Sequence, residues 1–160
     1  MTRILRFTLA ATLLASTPFA ISAADDDVAV LVNKTNAADN LTKAQLKKIL
    51  LGEQPTWPGG KKVVVILRPP GQADRVTVLK VICGMTEAEF NEHLMKANFN
   101  GDSGGAPKVA ASPLSVRQLV MTTPGAIAFL RMSEVNDTVK PVNVEGVAAG
   151  TAEYPIKPGK

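Results

Sequence analysis

Five consecutive apolar residues, Val28 to Val32, end at Asn33 and give way to the polar stretch Lys34 to Asn40. A run of that length with polar boundaries predicts a strand buried on both faces, then a loop. A helix is expected next. Thr42 stands where an N-cap would, Gln45 can reach back to close a capping box, and Leu41 can staple against Leu46. Leu46, Ile49 and Leu50 share one face, and Gly52 supplies a left-handed stop. Pro55, Trp57, Pro58, Gly59 and Gly60 make Glu53 to Gly60 a turn-rich connection. Val63 to Leu67 then predicts a second buried strand.

Beyond the rigid turn Pro69, Pro70, Gly71, the stretch Ala73 to Cys83 carries two opposed signals. Val76, Val78, Val81 and Ile82 favour a strand, whereas the length favours a helix; the expectation is a buried helix. Thr86 and Glu89 form a second capping box, Met85 and Phe90 a second staple, and Phe90, Leu94 and Ala97 a helical face. Gly101, Gly104 and Gly105 predict a loop. Ser112 before Pro113 is an N-cap with proline at the first helical position, and Val116, Leu119 and Val120 form the apolar stripe of that helix. Pro124 and Gly125 end it, Ala126 to Leu130 predicts a third buried strand, and Val139 to Val144 a fourth. Strands separated by helices predict an α/β fold, with a mixed sheet flanked by helices. No internal repeat is visible.

The N-terminal residues change the reading of the charge. Arg3 and Arg6 supply a positive region, and Ile4 through Phe19 an apolar stretch that is too short and too Ala/Thr-rich for a comfortable membrane span. Ser22, Ala23 and Ala24 then offer a small-residue cleavage site before Asp25, Asp26 and Asp27. The expected organisation is therefore a signal peptide over 1–24, one domain over 25–147 and a loose tail over 148–160, in a periplasmic or secreted protein that is not membrane-inserted after cleavage. No cysteine stands at the cleavage site to accept a lipid. Without Arg3 and Arg6 the 18 basic residues become 16 against 14 acids, so half of the formal charge of +4 belongs to the leader and the remainder of the chain is close to neutral. Few aromatics and no basic cluster beyond Lys47, Lys48 and Lys61, Lys62 argue against a nucleic-acid surface. Cys83, the one cysteine, excludes an intrachain disulfide and any multi-cysteine metal site, and its apolar neighbours predict a buried thiol.

Gly101, Asp102, Ser103, Gly104, Gly105 resembles the nucleophile segment of trypsin-like serine proteases, but the partners are missing. A serine nucleophile needs a base and a carboxylate that orients it; the one histidine, His93, lies ten residues upstream on an expected helix surface. The segment reads as a Gly-rich turn, and the protein as a non-enzyme. Asp25 to Asp27 read as solvated carboxylates, and neither a metal nor a cofactor is expected. The remaining chemistry gathers at the turn after the second strand: Arg68, Gly71, Gln72, Ala73, Asp74 and Arg75. A helix N-terminus exposes unpaired N–H groups, and glycine lets an oxyanion approach them, which makes this turn a candidate anion site.

These segments, in this order, resemble the phosphate ABC transporter substrate-binding proteins (PstS-like) of the type 2 periplasmic-binding-protein superfamily, in particular short single-lobe members. The resemblance lies in Val28 to Asn33, in Leu41 through Gln45, Leu46, Ile49, Leu51 and Gly52 to Trp57 and Gly60, in Arg68 with Gly71 and Arg75, in Phe99 to Gly101 with Pro107, and in Pro124, Gly125, Ala126, Ile127. It implies a single periplasmic-binding-protein-like lobe, a small anion such as phosphate as ligand, and a membrane transporter as partner. Departures bear on function. Family members that bind phosphate follow the arginine with an acid two residues later and then Gly-Ser-Gly-Thr; here Pro70 replaces the acid, and Gln72, Ala73 and Asp74 replace Ser, Gly and Thr. Ala128 and Phe129 likewise replace Gly-Tyr. The resemblance thus implies at most weak anion binding. The alternative is a protein-interaction module that contacts a membrane sensor or transporter through the same surface.

Overall fold

The computed structural model describes residues 26–99 and 105–158. The expected signal peptide, its cleavage site, Asp25 and most of the Gly101 to Gly105 turn lie outside the described residues. Among the described residues six strands form one mixed sheet in the order β2-β6-β1-β5-β3-β4. They are β1 (Val28–Val32), β2 (Asn40–Leu41), β3 (Val64–Leu67), β4 (Lys108–Val109), β5 (Ala126–Arg131) and β6 (Lys140–Val144). The two strands not expected from sequence, β2 and β4, are two-residue edge pairings, too short for any periodic signal. Strand β1 runs antiparallel to β5 and β6, pairing Val30 with both Phe129 and Val142, whereas β3 runs parallel to β4 and β5.

Side-chain alternation explains the uninterrupted apolar runs. Val28, Val30 and Val32 point into one core with Leu46, Ile49, Val78, Leu79, Phe90, Ile127 and Phe129. Ala29 and Leu31 point into the other, with Val116, Val120, Ala126, Ala128 and Leu130. A strand with helices over both faces must be apolar at every position. Helices α1 (Lys43–Leu50), α2 (Ala73–Val78) and α3 (Glu87–Phe99) accompany the first core, and α4 (Pro113–Thr122) supplies Val116 and Val120 to the second.

The caps form as read. The Thr42 hydroxyl accepts the Gln45 N–H while the Gln45 side chain accepts the Thr42 N–H. Thr86 and Glu89 repeat that exchange, and Ser112 pairs with Ser115 ahead of Pro113. The ambiguous stretch from Ala73 is helical throughout. Its second half, Leu79–Cys83, is a π-helical turn that Gly84 ends in a left-handed conformation at φ 69°. Val78, Leu79, Ile82 and Cys83 are all buried, so the helical stripe overrides the β-branched propensity.

Two expectations are corrected. The segment from Ala148 is not a loose tail, because Tyr154 and Ile156 are sealed in the first core and the Val28 N–H donates to the Ile156 carbonyl at 2.9 Å. The tyrosine hydroxyl donates to the Val28 carbonyl at 3.1 Å. Nor is Asp27 solvated: fully buried, it accepts from Lys157 Nζ at 3.0 Å and from the Gly150 N–H at 3.2 Å. Two apolar residues spaced i, i+2 in a Gly/Pro-rich stretch are too sparse a pattern to announce a packed segment, and Asp27 acquires its partner across 130 residues of chain.

Candidate functional site

Because β3 and β5 are parallel and β1 is antiparallel to β5, one end of the sheet collects the exits of β3 and β5 and the entry to β1. Arg68 follows β3 there, and the turn Pro69 to Gly71, with Gly71 at φ 84°, delivers the chain into α2. Positive φ at Gly71 is cheap only for glycine, so the tight reversal is written into the sequence. Gln72 occupies the N-cap with extended backbone but makes no side-chain capping bond.

Arg68 is turned inward and 9% exposed. Its Nη1 donates to the Ala111 carbonyl at 2.8 Å and its Nη2 to Gln72 Oε1 at 3.2 Å. The third donor group, Nε, is buried with no hydrogen-bond partner among the described residues; Asp74 Oδ2 lies 3.5 Å from it. Asp74 is itself buried, and its Oδ1 accepts the Arg75 N–H at 2.9 Å. Burial pushes the Asp74 carboxyl up, against the lowering effects of the Arg75 N–H and the Arg68 guanidinium, and Glu134 adds a further upward push. Glu134 follows β5, pairs with Arg131 at 3.2 Å, and leaves its Oε2 buried with no hydrogen-bond partner among the described residues. A hollow of about 220 Å³ beside Asp74 has Asp26, Thr77 and Arg131 among its walls.

Arg75 faces a different set of groups. Its Nε donates to Glu87 Oε2 at 2.9 Å, its Nη2 pairs with Glu87 Oε1, and its Nη1 donates to the Arg68 carbonyl at 2.9 Å. The guanidinium also lies 5.9 Å from the Phe90 ring centroid. Of the six residues singled out in sequence, Gly71, Gln72 and Ala73 are exposed on the turn, Arg68 and Asp74 are buried together beneath it, and the Arg75 side chain is buried but directed to Glu87. Sequence reasoning missed the carboxylates Glu87 and Glu134, Arg131 and the Ala111 carbonyl. Glu87, in the first turn of α3, carries no signal of its own; Arg131 and Glu134 arrive through the β3–β5 adjacency and Ala111 through the β3–β4 pairing, which no local pattern encodes.

The other candidates stand apart from this end. His93 is half-buried on α3, 3.2 Å from the Leu51 carbonyl. Cys83 is buried, and burial pushes its thiol up to about 11. At the opposite end of β3, a hollow of about 290 Å³ holds Lys62 and Lys108. Among the described residues, no group of three or more His, Cys, Asp or Glu side chains is placed to hold a metal ion. No helix among them is long and apolar enough to cross a membrane.

The profile of the PBP superfamily domain matches residues 8–154. The chain belongs to that family. It is 29% identical over 139 residues to the phosphate-binding protein PstS of Bacillus subtilis, covering 81% of this chain and 41% of that protein. Among solved structures, an ABC-type phosphate transport receptor from Vibrio cholerae superposes with a TM-score of 0.64 at 21% identity, over 78% of this chain and 48% of that one. PstS from Borrelia burgdorferi gives 0.65 at 18%, over 84% and 55%. A Clostridium perfringens protein whose crystal structure holds bound phosphate gives 0.63 at 24%, over 78% and 47%. The chain therefore spans roughly half the length of these relatives, and as a PBP superfamily member it is PstS-like in sequence and fold.

Proposed function

We propose that this protein is an extracytoplasmic solute-binding protein, acting by binding rather than catalysis, whose ligand is a small oxyanion such as phosphate. The observation that carries the reading is Arg68: an arginine at the carboxyl end of β3 with two of its nitrogens anchored and the third, Nε, without a hydrogen-bond acceptor among the described residues. Ligands of open α/β sheets bind outside the carboxyl ends of strands, and a planar guanidinium is suited to oxyanions. The Bacillus relative is a phosphate-binding protein by name, which supports phosphate as the first ligand to test.

Asp74 sets the strength. Its carboxylate already faces Arg68, so an incoming anion must displace a charge the protein supplies itself. Affinity for phosphate is expected nearer 1 mM than 1 µM, about −4 rather than −8 kcal/mol. A leader over 1–24 would place the protein outside the cytoplasm, where a membrane transporter could receive the ligand; a mature chain retaining Arg3 and Arg6 in an intact mass spectrum would exclude that leader. Calorimetry with phosphate on the wild type and Arg68→Gln tests the site. Measurable heat from the wild type, lost in the folded variant, supports it; equal binding by both contradicts it.

A further inference from the structure

Asp74 occupies the Arg68 site as an internal counter-anion, and the geometry around it says how an external anion can enter. Oδ1 is held by the Arg75 N–H, whereas Oδ2 sits 3.5 Å from Arg68 Nε, outside hydrogen-bond range. The two oxygens therefore have separate roles: one fixes the side chain to the backbone, and the other contributes charge. Every group facing Asp74 bears on that charge. Arg68, from the end of β3, stabilises it. Glu134, beyond β5, opposes it, and the unpartnered Oε2 of Glu134 leaves that opposition only partly relieved by Arg131. Asp26 and Arg131 line the neighbouring hollow, while Arg75 is engaged by Glu87 on α3.

We infer that the site takes its anion together with a proton, with Asp74 as the proton acceptor and hence the residue that sets the conditions for binding. The inference rests on reading this end of the sheet as an anion site. A proton from solvent adds to Asp74 Oδ2, Oδ1 keeps the Arg75 N–H, and the entering oxyanion becomes the acceptor for Arg68 Nε. For a monoanion such as dihydrogen phosphate the net charge at the site is then unchanged, because the ligand replaces one negative charge with another. Without the proton, the anion would confront Asp74 and Glu134 in a poorly solvated corner, where like charges repel strongly. Burial, which already raises the carboxyl, favours the protonated form that binding requires. Gln72, exposed and bonded to Arg68 Nη2, is the side chain whose movement would open the path.

Inorganic phosphate titrated into the wild type and Asp74→Asn between pH 5 and pH 8 tests the coupling. Phosphate's own ionisation is common to both proteins, so the informative quantity is the ratio of their affinities at each pH. The variant is expected to bind more tightly at neutral pH, and the wild type to approach it as pH falls, by up to about tenfold per pH unit for one linked proton. A ratio independent of pH, with both proteins binding, overturns the proton coupling and leaves the anion site standing. Absence of binding by both folded proteins at every pH overturns the site and the coupling together. Should the variant fail to fold, carboxyl-carbon NMR of the wild type decides. Saturating phosphate must move the Asp74 titration to higher pH, since linkage is reciprocal; an unmoved titration overturns the inference.

Discussion

Arg68 and Asp74 face each other across 3.5 Å at the β3–α2 turn, both almost fully buried, with the arginine Nε lacking a hydrogen-bond partner among the described residues. Five residues lie between the two in sequence, and the reversal at Gly71 brings them together. Where the phosphate-binding relatives of the resemblance would present Ser, Gly and Thr, this chain presents Gln72, Ala73 and Asp74, so donors to an anion are exchanged for a competitor.

Restoring those donors should restore affinity. Gln72→Ser, Ala73→Gly and Asp74→Thr together supply two hydroxyls and remove the facing carboxylate, and a hydrogen bond to a charged group contributes on the order of 1.5–3 kcal/mol. Phosphate titrated into the triple variant at low ionic strength should bind at least about tenfold more tightly than into the parent, since 1.4 kcal/mol is a factor of ten. No gain in a folded triple variant would mean that the turn is not where the anion sits.

The stability of the protein should respond to pH through the same carboxyl. Its folded value lies above the ordinary 3.8, so between the two the native state holds the proton more often than the unfolded chain does. Stability from this group is present below that window and falls as pH rises through it. Asp74→Asn removes the effect, so the difference in urea midpoint between variant and wild type should move in the variant's favour as pH is raised from about 4. A difference that stays flat, or moves the other way, would contradict the burial cost.

Much of this was legible in the sequence, for physical reasons that differ by element. The caps at Thr42, Thr86 and Ser112 and the buried strands β1, β3 and β5 depend on near neighbours, so local pattern suffices. The turn from Arg68 to Arg75 could be singled out as a candidate for the same reason, since its residues lie close together in the chain. Contacts made across the sheet were not: Glu134 reaches the site because β3 and β5 happen to be neighbours, and Lys157 reaches Asp27 because the chain returns past the start of β1. The packing of Tyr154 and Ile156 was hidden by a polar, Gly/Pro-rich context whose composition suggests the opposite.

That returning segment should be essential to the core. Ile156 is completely buried, and truncating it to alanine should cost roughly 2–5 kcal/mol. Tyr154→Phe, which removes only the bond to the Val28 carbonyl, should cost nearer 1 kcal/mol. Denaturant unfolding checks both; an Ile156→Ala variant as stable as the wild type would show the segment to be loosely held.

Gly125 should tolerate no side chain, although its φ is not positive. A Cβ there would lie 1.9 Å from the Lys62 carbonyl oxygen, and the Gly125 carbonyl accepts the Trp57 indole N–H at 2.9 Å. Gly125→Ala must push the Trp57 loop away from the start of β5, costing about 1–3 kcal/mol as overpacking does. An unchanged melting temperature would contradict that close approach.

The most direct test of the anion site is a backbone-amide NMR titration of the wild-type protein with inorganic phosphate at mildly acidic pH. The result expected is a set of saturable shifts centred on Gly71 to Arg75 and Ala111, the groups around Arg68. Shifts centred instead on Lys62 and Lys108, in the hollow at the other end of β3, or no saturable shifts at millimolar phosphate, would contradict the placement of the site at Arg68.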